Sequence, residues 1–153
     1  MLIRTHLAIT LFAIILLIPN VKYGMIFGFV AVIATFIPDI DSRYSSIGRR
    51  RINRILQFFT KHRGITHSFL FLIFLTLILL WIFPKAALGF FLGYSLHLFA
   101  DSFTPEGITP FHPIYKGKAR GKVSTGGKLE IGIFAGFIIA DIALFLSKVF
   151  GLF

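Results

Sequence analysis

AALGFFLGYSLHLFADSF, residues 86–103, is an apolar run that carries an imidazole and a carboxylate four positions apart. On a helix that spacing sets His97 and Asp101 on one face, about one turn from each other, where they can ligate one ion or two adjacent ions. An Asp in a membrane helix is unfavourable by about 2.5–3.5 kcal/mol at mid-span on insertion scales, and a bound cation offsets that penalty. The plain alternative is an Asp101 hydrogen-bonded to Ser95 or Thr104 near the membrane interface. Outward from this stretch, four more apolar runs occur. Together they predict helices over residues 2–18, 23–37, 66–83, 86–103 and 129–150, divided by two short breaks and two long polar loops, 42–65 and 104–128. The predicted fold class is all-α: a polytopic membrane helical bundle of about five transmembrane helices, forming a single membrane-embedded domain over 1–153. In the first loop Ile52, Ile55, Leu56 and Phe59 repeat at helical spacing. They predict a short interfacial amphipathic helix, with a solvated basic loop as the equal alternative. Pro19-Asn20-Val21-Lys22 lacks the small-residue cleavage site that would make the first run a signal peptide.

The composition agrees. Of 153 residues, 56% are apolar, and the mean hydropathy is +0.86, well above a soluble domain. There is no cysteine, which excludes disulfides and thiolate ligands and leaves His nitrogen and carboxylate oxygen to hold any transition metal. The net charge of +10 would point to nucleic acid in a soluble protein, but here position decides. Of the 16 basic residues all but Lys22, Lys85 and Lys148 fall at Arg4 or in the two long loops. The positive-inside rule then places the N-terminus and both loops in the cytoplasm, which makes nucleic acid an unlikely partner and membrane lipid the expected one.

The few polar side chains are grouped: Thr5-His6, Pro38-Asp39-Ile40-Asp41, His62-Arg63-Gly64-Ile65-Thr66-His67-Ser68, His97 with Asp101, and Glu106 to His112. On the predicted topology every cluster lies on the cytoplasmic side, a result that charge bias and ligand chemistry give independently. Pro38 ends the second helix and leaves Asp39 and Asp41 two positions apart in a turn, where either can bridge ions or merely cap the turn. Gly64 permits a tight turn between two imidazoles, and Thr66 is the expected N-cap of the third helix. The candidate metal ligands are His6, Asp39, Asp41, His62, His67, His97 and Asp101. They are too many for one tetrahedral ion with an open position, so two ions is the natural count and one or two are expected overall, zinc first, with manganese or iron also compatible. Arg63 offers a guanidinium fork for an anionic oxygen, and Glu106 is the candidate general acid or base. His112 reads as structural. Asp141, near the middle of the last helix, is expected to make a buried hydrogen bond and no metal contact.

These motifs, with His97-x3-Asp101 followed by Thr104, Gly107, Pro110 and Phe111, resemble the YdjM family of membrane-bound, metal-dependent hydrolases over residues 5 to about 113. The resemblance implies a metal-dependent hydrolase of a bacterial inner membrane or an archaeal plasma membrane. A more distant similarity is to zinc-dependent phospholipase C and P1-type nucleases, whose ligands follow the order His, Asp, His, His-x3-Asp. His6, Asp39 or Asp41, His62 or His67, and His97 with Asp101 follow that order, while the second His-x3-Glu/Asp pair is missing. The resulting expectation is a hydrolase cleaving a phosphoester of a lipid or other anionic, phosphorylated substrate at the cytoplasmic leaflet by a metal-bound hydroxide. Two other classes fit part of the pattern. A divalent-metal transporter would also place His and Asp in membrane helices, though usually at the midplane and with internal repeats. A non-enzymatic membrane regulator or scaffold would bind protein, DNA or anionic lipid through the basic loops.

Overall fold

A computed structural model describes residues 1–41 and 65–151, with Ile40 and Asp41 described in backbone only. Five α-helices follow in chain order: α1 (Ile3–Leu17), α2 (Gly24–Phe36), α3 (Phe69–Ile82), α4 (Pro84–Ser102) and α5 (Lys128–Val149). Short 3₁₀ turns, Ile18–Asn20 and Pro38–Asp41, extend α1 and α2. Among the described residues there is no strand, only an isolated antiparallel bridge between Ile108 and Ala119. Each helix ends within three residues of its predicted bounds. Two segments, Ile3–Asn20 and Lys128–Val149, are long and apolar enough to cross a membrane by length and composition; Gly24–Phe36 and Phe69–Ile82 are shorter apolar helices. The amphipathic helix expected around Ile52 to Phe59 lies outside the described residues.

Two local expectations are corrected. The N-cap of α3 is Ser68, not Thr66: Ser68 is extended (φ −125°, ψ 137°) and its hydroxyl accepts from Leu70 N. Thr66 is spent elsewhere, its carbonyl accepting from the Tyr94 hydroxyl at 2.6 Å. Asp141 is buried as expected, but neither of its oxygens has a hydrogen-bond partner among the described residues, and it belongs to no metal-ligating group.

The register of α4 against α2 positions everything else. The two helices run parallel, and a Cβ on Gly89 would meet Phe27 O at 2.4 Å, while one on Gly93 would meet Ala31 O at 2.0 Å. One turn further on, His97 Nδ1 lies 2.8 Å from Thr35 O. Gly89, Gly93 and His97 thus lie over the carbonyls of Phe27, Ala31 and Thr35 in a four-residue ladder. This is the close backbone approach that small residues permit between membrane helices. α3 folds back on the other side of α4, closing a core of Ala34, Leu72, Phe90, Tyr94, Leu98 and Ile108.

α1 packs on α2, with the Thr10 and Thr35 hydroxyls 3.0 Å apart, and lies parallel to α5. Phe12 meets Phe137 edge-on at 5.6 Å, Arg4 lies over the Phe134 ring, and Lys148 Nζ donates to Ile15 O at 2.5 Å. The interior holds Thr5, Thr10, Thr35 and Ser68 together with three imidazoles, whereas Met25, Phe29, Trp81, Leu129 and Ile139 face outward. Apolar surface outside and paired polar groups inside suit helices solvated by lipid. The starts of α1, α3 and α5 and the ends of α2 and α4 all meet at one end of the bundle.

Candidate metal centre

At that end five side chains converge from four helices and their flanking turns. His6 comes from the second turn of α1, Asp39 from the turn after α2, His67 from just before α3, and His97 and Asp101 from the last turns of α4. His6, His67, His97 and Asp101 are buried, and Asp39 is mostly so. Asp101 lies at the centre. Its Oδ1 is 3.3 Å from His6 Nε2, and its Oδ2 is 3.6 Å from His67 Nε2 and 3.7 Å from His97 Nε2. Asp39 Oδ1 is 3.9 Å from His97 Nε2. The His6 and His97 rings stack in parallel with centroids 3.9 Å apart.

The hydrogen bonding says what these groups are arranged for. The Nδ1 of His97 is engaged by Thr35 O at 2.8 Å, which makes it the protonated nitrogen and turns the Nε2 lone pair toward Asp101. The Nδ1 of His67 meets the Thr66 hydroxyl at 3.3 Å, again leaving Nε2 inward. His67 Nε2, His97 Nε2 and both nitrogens of His6 are buried with no hydrogen bond among the described residues. A buried polar atom without a partner costs about 1–3 kcal/mol, and here four such nitrogens are concentrated beside one or two carboxylates. The α-amino group of Met1 rests on Asp101 Oδ1, so a cation already stands on that oxygen.

Two overlapping groups have ligand atoms within 4.8 Å of one another: His6, His97 and Asp101, and Asp39, His67 and His97. Around a tetrahedral ion with bonds near 2.1 Å, neighbouring ligand atoms are about 3.4 Å apart, close to the separations observed. The donor set of imidazole and carboxylate, with oriented outer nitrogens, fits a divalent transition metal. His97 has one free lone pair and cannot complete both groups. Burial pushes the Asp39 carboxyl above its ordinary pKa; the His67 imidazole pulls it back, and the Asp101 carboxylate adds to the rise. A cation at the centre would oppose that rise and favour the ionised form of Asp39.

The structure therefore brings together five of the seven ligands expected from sequence. His62 and Arg63 lie outside the described residues, and Asp41 is described in backbone only. Glu106 is exposed on the loop after α4 and belongs to neither group. His112 serves the fold, its carbonyl accepting from the Ser68 hydroxyl at 2.9 Å.

A family model described as "YdjM inner membrane protein" matches residues 1–149, nearly the whole chain. The chain belongs to the YdjM family. Among curated YdjM proteins, the inner membrane protein YdjM of Escherichia coli strain K12 is 37% identical over 92 residues, which is 54% of this chain and 47% of that protein. The protein of the same name from Shigella flexneri matches to the same extent. The chain spans about half the length of these YdjM relatives. No solved structure matches it. It is thus a YdjM-family membrane protein whose buried His and Asp residues form possible metal-binding groups.

Sequence reading passed over one residue that shapes this YdjM centre. Glu130, in the first turn of α5, is buried and accepts from Leu2 N at 2.5 Å, the Thr5 hydroxyl at 2.9 Å and Gly126 N at 2.5 Å. It ties down the turn before its own helix and, across the bundle, the start of α1, where no side chain of α1 does so. The signal was present as an acid in a first helical turn just after Gly126-Gly127, but its second partner is more than 120 residues away. Glu130→Ala removes three bonds to a carboxylate. An expected loss of about 3 kcal/mol would lower the thermal midpoint in detergent. Metal affinity should fall with it, since His6 follows Thr5 directly.

Proposed function

We propose that this protein is a multi-pass hydrolase of the inner membrane that uses one or two divalent ions, zinc foremost, to cleave a phosphoester of a lipid or another anionic substrate. The N-terminus and the site would face the cytoplasm, and about five helices would cross the membrane. The observation that carries this reading is the convergence of three buried imidazoles and two carboxylates, with unpartnered ring nitrogens, at the end of the bundle where the basic loops emerge.

Each residue has a part in that reading. Thr35 O and the Thr66 hydroxyl hold the His97 and His67 rings so that Nε2 faces inward. Asp101 presents one oxygen to His6 and the other to His67 and His97, so it would help to hold an ion on either side; Asp39 would complete the His67 and His97 side. A divalent cation bound here supplies Lewis acidity, polarising a phosphoryl oxygen and acidifying a water. Arg63 would grip the phosphoryl oxygens with two parallel N–H bonds. Glu106, exposed and beside the end of α4, would exchange a proton with water or the leaving group.

The test is metal analysis of purified protein beside phosphate release from a panel of phospholipids and phosphorylated headgroups, repeated on His67→Ala. Wild-type protein is expected to hold metal and release product. His67→Ala should lower kcat/KM by at least about 100-fold, beyond the 10–100-fold typical of a lost partner behind a ligand. Stoichiometric metal with no hydrolysis of any ester would support a transporter or scaffold instead. Wild-type protein free of metal would sink the catalytic reading.

A further inference from the structure

Residues 115–123, Tyr-Lys-Gly-Lys-Ala-Arg-Gly-Lys-Val, alternate cations with small residues. In the structure Lys116, Lys118, Arg120 and Lys122 are all exposed, while Gly117, Ala119 and Gly121 are half-buried, Gly117 against the Tyr115 ring. The backing is specific. Ala119 exchanges both backbone hydrogen bonds with Ile108 at 3.0 Å, Gly121 N donates to Thr104 O at 3.0 Å, and Val123 N donates to Phe103 O at 2.9 Å. A Cβ on Gly121 would lie 2.2 Å from Phe103 O, so only glycine allows the segment to lie this close. The result is a strip held against the fold at Ala119, Gly121 and Val123, with four exposed cations at alternate positions. No acid occurs between Glu106 and Glu130 to neutralise it.

The strip lies beside the metal centre. Its backing residues 103–104 lie two and three positions after Asp101, and the Thr104 hydroxyl donates to Asp101 O at 2.7 Å. Next to it an apolar tip stands clear of the fold: Phe111 is 54% exposed, Ile114 84% and Tyr115 65%. That tip is pinned to the start of α3, where Phe69 N donates to Pro110 O at 2.8 Å and the Ser68 hydroxyl reaches Pro110 O and His112 O. His67 is the residue before that anchor.

We propose that this strip and tip form a docking surface for anionic phospholipid: Phe111, Ile114 and Tyr115 enter the headgroup boundary, and the four cations hold lipid phosphates at the mouth of the metal centre. An exposed apolar tip beside a row of cations is the composition that binds an anionic leaflet, the cations adding electrostatic attraction to the burial of the apolar side chains. A nucleic-acid strand would use the cations but leave the aliphatic tip in water, which is why lipid is the occupant assigned. That lipids held here go on to be substrates rests on the hydrolase reading; their binding does not.

The experiment uses full-length protein reconstituted in phosphatidylcholine with trace spin-labelled phosphatidylglycerol or phosphatidylcholine, reading the motionally restricted fraction of each. Wild-type protein should favour phosphatidylglycerol several-fold. Salt at about 0.5 M should erase most of this preference. The combined variant Lys116→Gln, Lys118→Gln, Arg120→Gln, Lys122→Gln should at least halve it, while Asp101→Ala, which disarms the metal centre, should leave it unchanged. An unchanged preference in the four-fold variant overturns the proposal. So does loss of binding to a fluorescent single-stranded oligonucleotide in that variant with lipid preference intact, which would make the strip a nucleic-acid surface. For the tip, Ile114→Trp in a Trp81→Phe background should be quenched by lipids brominated near the headgroup. Quenching by aqueous acrylamide alone would place Ile114 in water and overturn the tip's role.

Discussion

Gly93→Ala is expected to destabilise the protein by about 3 kcal/mol or more and to abolish its capacity for metal, although alanine is the better helix former by about 1 kcal/mol. The added methyl would sit 2.0 Å from Ala31 O, and both sides of that contact are helix backbone, which cannot rotate away as a side chain can. The helices must separate, at a cost in the upper part of the range for overpacking or beyond it. Separation also breaks the His97 Nδ1 contact with Thr35 O one turn further on, freeing the ring that both metal-ligating groups share. Thermal unfolding in detergent and bound metal per chain measure the two effects. Gly136→Ala is the control: a Cβ there meets nothing within 4 Å, so helix propensity alone operates and stability should hold or rise by up to about 1 kcal/mol. Equal behaviour of the two variants would show that the α2–α4 approach is not as close as described.

The second large effect is expected from Asp101→Ala. Asp101 is the only side chain of the five whose oxygens reach both His6 on one side and His67 and His97 on the other. Removing it leaves three buried imidazoles with no central carboxylate. Divalent-metal affinity is expected to fall by more than about 100-fold, above the 10–100-fold attached to partners behind a ligand. The protein itself should still fold, since the helix contacts of α4 lie on Gly89, Gly93, Phe90 and Tyr94. Asp101→Asn keeps one acceptor oxygen and the size of the side chain, so it should retain more metal than the alanine variant. Calorimetric titration with zinc on detergent-purified, metal-stripped protein gives the ranking. Wild-type affinity in Asp101→Ala would remove Asp101 from the centre and, with it, the idea of a carboxylate shared between two ions.

The sequence was legible wherever a signal was local. Runs of apolar residues located five helices, because burial in lipid or in a bundle demands continuous apolar stretches and the breaks between them are polar. The scarcity of polar side chains made each one conspicuous, and His6, Asp39, His67, His97 and Asp101 could be named as candidate ligands because an imidazole or carboxylate beside an apolar run is costly without a partner. The His97-x3-Asp101 spacing also fixed their common face, since helical periodicity is a property of four consecutive residues.

What the tertiary structure alone decided is who faces whom. Gly89 and Gly93 share the four-residue spacing of His97 and Asp101, yet nothing in the string says that the facing surface is α2 or that carbonyls of Phe27, Ala31 and Thr35 fill the space. Asp101 emerged as the central carboxylate among the described side chains, because its place depends on α1, α3 and α4 meeting at one point. The clamp by Glu130 spans the length of the chain, and Asp141 found no partner where a hydrogen bond was expected. Apolar burial is nonspecific and additive along the chain, so sequence reveals which segments are helices. Hydrogen bonds and ligand distances are directional and involve residues far apart in sequence, so only the packed bundle reveals which polar groups meet.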